Sequence, residues 1–136
     1  MQKTMLLLVA LLLTGCQTWG PTWSEVSGNR YTRVNVNRSP TIIEDIDGQG
    51  AFPSHPIKIE PGQRVITLQG VPLRPGWHGG SLKQMTLNAE PCKRYYINAQ
   101  FDSPLSPSDW EPVIDEVEQI GGCKASSATP EAKRVG

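Results

Sequence analysis

Short runs in which apolar and polar residues alternate, each bounded by a turn, constrain the fold of this chain most strongly. The 136 residues include 13 glycines and 12 prolines, which divide the sequence into short segments. Alternation with a period of two places successive side chains on opposite faces of a strand. Short strands separated by frequent turns are typical of an all-β sandwich. We therefore predict an all-β fold.

The alternating runs predict a small antiparallel β-sandwich of about six or seven short strands. Asp47-Gly48 and Pro61-Gly62 are turn pairs, because glycine adopts positive φ at little cost. The second pair predicts a hairpin between residues 56–60 and 63–69. The last run fits helical spacing as well as a strand, and we favour the strand. The runs predicted as strands are residues 31–37, 41–46, 56–60, 63–69, 82–89, 94–101 and 110–120.

The first sixteen residues resemble the signal of a secreted protein. Lys3 is basic, residues 5–13 are apolar, and small residues precede Cys16. The apolar run is too short for a membrane-spanning helix, which needs about 20 residues. One interpretation of this segment is an ordinary signal peptide that is cut just beyond Cys16.

Leu13-Thr14-Gly15-Cys16 favours a second interpretation, because it resembles the lipobox of bacterial lipoproteins. The resemblance implies that residues 1–15 are a signal peptide and that Cys16 becomes a lipidated N-terminus. Two or three acyl chains would then hold the protein in a membrane, since each buried methylene contributes about 0.8 kcal/mol. Gln17 stands where an aspartate would favour inner-membrane retention in Gram-negative lipoproteins. The resemblance thus implies attachment to the outer membrane, facing the periplasm.

Assigning Cys16 to a lipid leaves Cys92 and Cys123 as an even pair in an oxidising compartment. We predict a disulfide between them, and this bond favours a strand for residues 110–120. A redox or zinc site is the alternative, but no Cys-x-x-Cys spacing is present and His55 and His78 are isolated in the sequence. We expect no metal and no cofactor.

We predict four regions along the chain. The lipobox resemblance implies that residues 1–15 are the signal peptide and that residues 16–29 are the lipidated cysteine and a turn-rich tether. We expect residues 30–123 to form the folded domain. Residues 124–136 are small, polar and charged, and we predict that they are disordered because they have too little apolar surface to bury. Trp19 and Trp23 of the tether could touch the membrane interface or pack on the domain, and we favour packing.

Ile46-Asp47-Gly48 and the run from Ile59-Glu60-Pro61-Gly62 to Ile66 resemble the core of a PEGA-like domain. Such domains are small β-sandwich modules of bacterial envelope proteins, and their motif residues shape turns. The resemblance therefore implies a fold and no catalytic site. The long loop at residues 71–81 and the cysteine pair depart from that pattern. The later sequence is similar to uncharacterised envelope lipoproteins of Gram-negative bacteria.

The charge and the motifs of the chain argue against a nucleic-acid-binding protein and against an enzyme. The chain has 13 basic and 13 acidic residues, so loss of Lys3 with the signal leaves a net charge of −1 and no basic stripe for nucleic acid. The Lys93-Arg94 pair and the acidic residues 109–118 are predicted to be solvated surface. No serine lies in a Gly-x-Ser-x-Gly turn, and we expect no enzymatic activity.

Two functions remain for a domain on a lipid tether. The first is a structural or protein-interaction module, attached through lipid on Cys16, whose partner is an envelope protein or the peptidoglycan. The alternative is a ligand-binding or accessory lipoprotein that uses the 71–81 loop as its recognition site. Trp77 and His78, followed by Gly79-Gly80, are the candidate recognition residues of that loop.

Overall fold

The computed structural model describes residues 22–29, 35–51, 55–74, 76 and 81–124, and this part of the chain contains strands and no helix. The all-β prediction is confirmed. The run at residues 110–120, which fitted both kinds of periodicity, forms a strand over residues 110–119. The eight strands are β1 (Ser24–Ser27), β2 (Arg38–Ile46), β3 (Gln49–Gly50), β4 (Ile57–Ile59), β5 (Gly62–Gly70), β6 (Leu82–Ala89), β7 (Lys93–Phe101) and β8 (Trp110–Gln119).

Strand β2 joins the two halves of a sandwich-like fold. Its first residues pair with β7, and residues 41–46 pair with β5. In one half, β7 also pairs with β1 and β8, and β4 pairs with the other side of β1. In the other half, β5 also pairs with β6. The register of β2 shifts between Ile43 and Asp45. Such a bulge bends a strand, so β2 can change direction and pair in both halves.

The core lies between the two halves and is supplied by the inward faces of the strands. The alternation over residues 63–69 places Ile66 and Leu68 on one face and predicts that they supply core, and both are fully buried. Phe101 and Trp110 pack at one end with their ring centroids 6.3 Å apart. The buried apolar cluster consists of Val26, Ile43, Ile59, Ile66, Leu68, Leu87, Ala89, Tyr95, Ile97, Ala99, Phe101 and Trp110.

Strand β1 corrects the predicted boundary between tether and domain. Residues 24–27 were assigned to the tether, but all four are buried, and they pair with β4 on one side and β7 on the other. The segment has Val26 as its one large apolar residue, too little for a recognisable alternation. The pairing with β7 is parallel, so the sheet is mixed where an antiparallel one was expected.

Residues 35–37 form a turn, so the strand predicted over 31–37 is wrong in this part; residues 30–34 lie outside the described residues. The alternation over residues 31–37 predicts that Val36 faces inward, but this side chain is 80% exposed. Asn37 has a φ of 58°, which ends any extended run before Arg38.

The hairpin predicted around Pro61-Gly62 does not form. Strand β4 pairs with β1, whereas β5 pairs with β2 and β6. Gly62 does have a positive φ of 111°, but the turn carries the chain from one half of the sandwich to the other. Ile59 and Ile66 therefore enter the same core from separate halves, where each buries more surface than it would in an isolated hairpin.

Candidate functional site

The strand directions gather the connecting segments at two opposite ends of the fold. The first end, which we call the disulfide pole, comprises residues 22–23, 60–61, 90–93 and 119–124. The second end, the loop pole, comprises residues 35–37, 71–74, 81 and 102–109. β5 and β7 run from the disulfide pole to the loop pole, and their long antiparallel neighbours run back. β1 runs in the same direction as β7 but lies beside its first half only.

Cys92 and Cys123 are joined in a disulfide, with their Cα atoms 5.4 Å apart. Cys92 is only 1% exposed, and its carbonyl oxygen accepts a hydrogen bond from the Ile120 N–H at 2.9 Å. The Cys92 N–H donates to the carbonyl oxygen of Trp23 at 2.8 Å. The Thr22 hydroxyl donates to the Lys124 carbonyl. The chain that leads from the predicted lipidation site therefore joins the domain directly beside the disulfide.

Trp23 packs on the domain, as the sequence favoured. Its indole N–H donates to Glu25 Oε1 at 2.9 Å, and Lys58 Nζ lies 4.6 Å from the ring centroid. A cation at this distance over an indole is attracted by the negative face of the ring. Trp19 lies outside the described residues.

Ion pairs cover the face of β7 that points away from the core. Arg94 Nε lies 2.5 Å from Glu25 Oε2, and Arg94 also bonds to Glu118 at 3.3 Å. The Tyr96 hydroxyl donates to Glu118 at 2.8 Å. Hydrogen bonding with Tyr96 and then with Glu25 raises the pKa of Arg94 above its ordinary value, so this guanidinium stays charged.

A second group continues this polar layer toward the loop pole. Arg38 pairs with Asp115, to which the Asn98 amide also donates, and Arg38 Nε donates to Gln100 at 2.8 Å. Asn98 is fully buried. The prediction of a simply solvated surface is therefore wrong for Arg94, Asp115 and Glu118, whose side chains are no more than 30% exposed. Sequence reasoning missed these pairs because their partners lie on other strands.

The Asp47-Gly48 turn is present as predicted, with φ values of 53° and 83°. Asp47 Oδ1 accepts the Val65 N–H at 2.8 Å, and Oδ2 accepts from Arg64 at 2.8 Å. The hydrogen bond from Val65, together with the smaller effect of that from Arg64, lowers the pKa of Asp47. A cavity of about 480 Å³ lies beside this turn, between β2, β3 and β4.

A shallower cleft of about 390 Å³ is lined by Ser27, Asn29, His55, Pro56 and Tyr96. Among the described residues, the buried Nδ1 of His55 has no hydrogen-bond partner. In that same part of the chain, no three His, Cys, Asp or Glu side chains are grouped so as to hold a metal ion.

Three predicted site residues, Cys16, Trp77 and His78, lie outside the described residues. The two ends of the 71–81 loop are nevertheless described. The Val71 N–H donates to the Pro40 carbonyl at 3.1 Å, and the Ser81 carbonyl accepts from the Trp110 indole at 3.2 Å. Both ends of the loop are thus bonded to strands at the loop pole.

Exposed apolar side chains also lie at or next to the loop pole. Val36 is 80% exposed, and Leu82 and Leu105 are each 61% exposed. Sequence alternation alone does not identify them, since Val36 was expected inside and Leu105 lies in a loop. They are the three most exposed large apolar side chains of the described residues, since Ile42, Val65, Ile114 and Val117 on the strands are each less than 50% exposed.

Comparisons with protein-family models, curated proteins and solved structures found no match. The described part of the chain contains no helix that is long and apolar enough to cross a membrane. The lipobox and PEGA-like resemblances stay predictions from the sequence.

Proposed function

We propose that this protein is an envelope lipoprotein that acts as a protein-interaction module and has no catalytic role. Lipid on Cys16 holds it at the outer membrane, facing the periplasm. The observation that carries the proposal is that the attachment segment and the exposed apolar side chains lie at opposite ends of the fold. The segment that leads from Cys16 joins the disulfide pole, while the described ends of the 71–81 loop and the three most exposed large apolar side chains, Val36, Leu82 and Leu105, lie at or next to the loop pole.

The disulfide supports the proposed compartment. Disulfides persist in the periplasm and are rare in the reducing cytosol. Cys92 and Cys123 are bonded at a site where the backbone also bonds to Trp23. A bond built into the packing in this way is structural.

The exposed apolar groups favour a protein partner over peptidoglycan. Peptidoglycan offers sugar hydroxyls and charged peptide groups, which pair poorly with Val36 and Leu105. A protein surface can bury both side chains, and each square ångström of apolar surface removed from water contributes about 25 cal/mol.

A ligand-binding or accessory role for the 71–81 loop is the second candidate. Its support is the pair of hydrogen bonds that hold the loop ends against β2 and β8. Loops held by a rigid scaffold commonly carry binding residues. If Trp77→Ala combined with His78→Ala leaves every partner bound in a pull-down, this candidate is wrong.

Lipidation is tested by labelling cells with radioactive palmitate. The wild-type chain should incorporate label and sediment with membranes, and Cys16→Ser should do neither. Continued labelling of Cys16→Ser would contradict the assignment of the lipid to this residue.

The interaction surface is tested by capture from detergent-solubilised envelopes. Val36→Ser combined with Leu105→Ser should lose proteins that the wild type retains. Val117→Ser is the matched control, since Val117 is 48% exposed on β8 away from the loop pole, and it should retain them. Equal retention by both variants would exclude the loop pole as the binding surface.

A further inference from the structure

The disulfide pole carries the segment that connects the domain to the predicted lipid. We propose that this pole is a bilayer-contact surface, which rests on the phospholipid headgroups of the membrane that holds Cys16. The inference rests on the proposed lipid attachment and adds an orientation to it.

The length of the tether decides which pole reaches the membrane. Thr22 is the first described residue and lies at the disulfide pole. The six residues that come after Cys16, up to Thr22, span at most about 20 Å when fully extended. The lipid on Cys16 therefore keeps the disulfide pole within about 20 Å of the headgroups.

The opposite orientation exceeds this reach. Strand β7 has 9 residues and runs from one pole to the other. At about 3.3 Å per residue, it separates the poles by roughly 30 Å. A domain standing with its loop pole on the membrane would hold Thr22 about 30 Å above the surface, farther than the tether extends.

The side chains of the disulfide pole suit a headgroup layer. Trp23 is half-buried, with the Lys58 ammonium over its ring. Lys124 of this pole is exposed, as is Lys58, which lies on β4 with its ammonium over Trp23. Both can donate to phosphate oxygens, and indole rings are enriched at membrane interfaces. Tryptophan and lysine side chains at an interface place apolar parts toward the lipid and polar groups toward water.

Two acidic residues limit the charge of this pole. Glu60 and Glu90 are exposed and offset the lysines. The acyl chains therefore supply the binding free energy, and the pole determines how the domain lies on the surface. Partner proteins would then meet the loop pole first.

Photo-crosslinking to lipid tests the orientation. p-Benzoylphenylalanine replaces Gln119, which is exposed at the disulfide pole, or Leu105, which is exposed at the loop pole. Each chain, beginning at Cys16, is coupled through this thiol to a maleimide lipid in vesicles of phosphatidylethanolamine and phosphatidylglycerol. Cys16 is then the free thiol, because Cys92 and Cys123 are bonded to each other. Radiolabelled phospholipid reports the crosslinks.

Crosslinking from position 119 should exceed that from position 105 several-fold. Equal yields, or a higher yield from position 105, would overturn the proposed orientation. Circular dichroism of both variants confirms that each has the β-sheet spectrum of the wild type. The lipid is attached chemically in this experiment, so its result does not depend on the palmitate labelling. Loss of palmitate label would show that cells do not lipidate Cys16, whereas the crosslinking yields test only the orientation.

Discussion

The backbone N–H of Cys92 donates to the carbonyl oxygen of Trp23 at 2.8 Å. Trp23 directly precedes β1, so this bond connects the start of β1 to the disulfide. The other cysteine of the disulfide, Cys123, lies just after β8. Trp23 also donates its own N–H to Cys123 Sγ at 3.5 Å. The disulfide thus stabilises the start of β1 as well as the β7–β8 pair.

Reduction of the disulfide should lower the free energy of unfolding by about 3 to 4 kcal/mol, from the entropy of a loop of roughly 30 residues. The measurement is urea unfolding of the Cys16→Ser chain with and without reductant. Cys92→Ser combined with Cys123→Ser should reproduce the reduced midpoint. Coincident unfolding curves for the oxidised and reduced chains would contradict the prediction.

Arg94→Met should destabilise the fold by about 3 kcal/mol, because it leaves the Glu25 carboxylate buried without its cation. The Glu25 side chain is only 6% exposed. Lys83→Met is the control, since the Lys83–Glu111 pair has a 3.7 Å separation and a 76% exposed carboxylate. It should cost less than about 1 kcal/mol. Equal losses in urea unfolding would show that Arg94 contributes no more than a surface charge.

Gly28→Ala should destabilise the fold by at least about 2 kcal/mol, because the site has no room for a methyl group. A Cβ atom at Gly28 would lie 2.0 Å from the carbonyl oxygen of Thr41. That backbone is held in place, since the Thr41 N–H donates to the Gly28 carbonyl at 3.2 Å.

Gly50→Ala is the matched control for this substitution. A Cβ atom at Gly50 would have nothing within 4 Å, and the residue has no positive φ. Its effect should stay within about 0.5 kcal/mol. Thermal unfolding of both variants checks the pair, and a Gly28→Ala protein as stable as Gly50→Ala would refute the close approach of Gly28 to Thr41 of β2.

Asp47 should make stability sensitive to acid. Its pKa is lowered in the folded state from an ordinary value of 3.8, so its contribution is complete above that pH and is lost as the pH falls through the lower folded value. Asp47→Asn should therefore show a smaller loss of stability below about pH 4 than the wild type. Urea midpoints measured from about pH 6 to about pH 2 test this. Parallel pH profiles for the two proteins would contradict it.

Much of the fold can be predicted from local patterns. The alternation in residues 94–101 predicts a strand that becomes β7, and Asp47-Gly48 predicts a turn that is present. The ion pairs match no such pattern, because Arg94 meets Glu25 across 69 positions of sequence. The recognition residues Trp77 and His78 stay predictions, since they lie outside the described part of the chain.

The lipobox resemblance, which assigns Cys16 to a lipid, predicted that Cys92 pairs with Cys123. Local patterns in the sequence were enough to predict that the chain is all-β and where most of its strands lie. They did not reveal that residues 24–27 belong to the sheet, that β1 runs parallel to β7 or that β4 and β5 form no hairpin. These features depend on tertiary packing. Alternation and turn chemistry depend on residues that are neighbours in the chain, so strands and turns can be predicted from the sequence. The choice of strand partner depends on how much apolar surface is buried and how many backbone hydrogen bonds are satisfied across the whole fold.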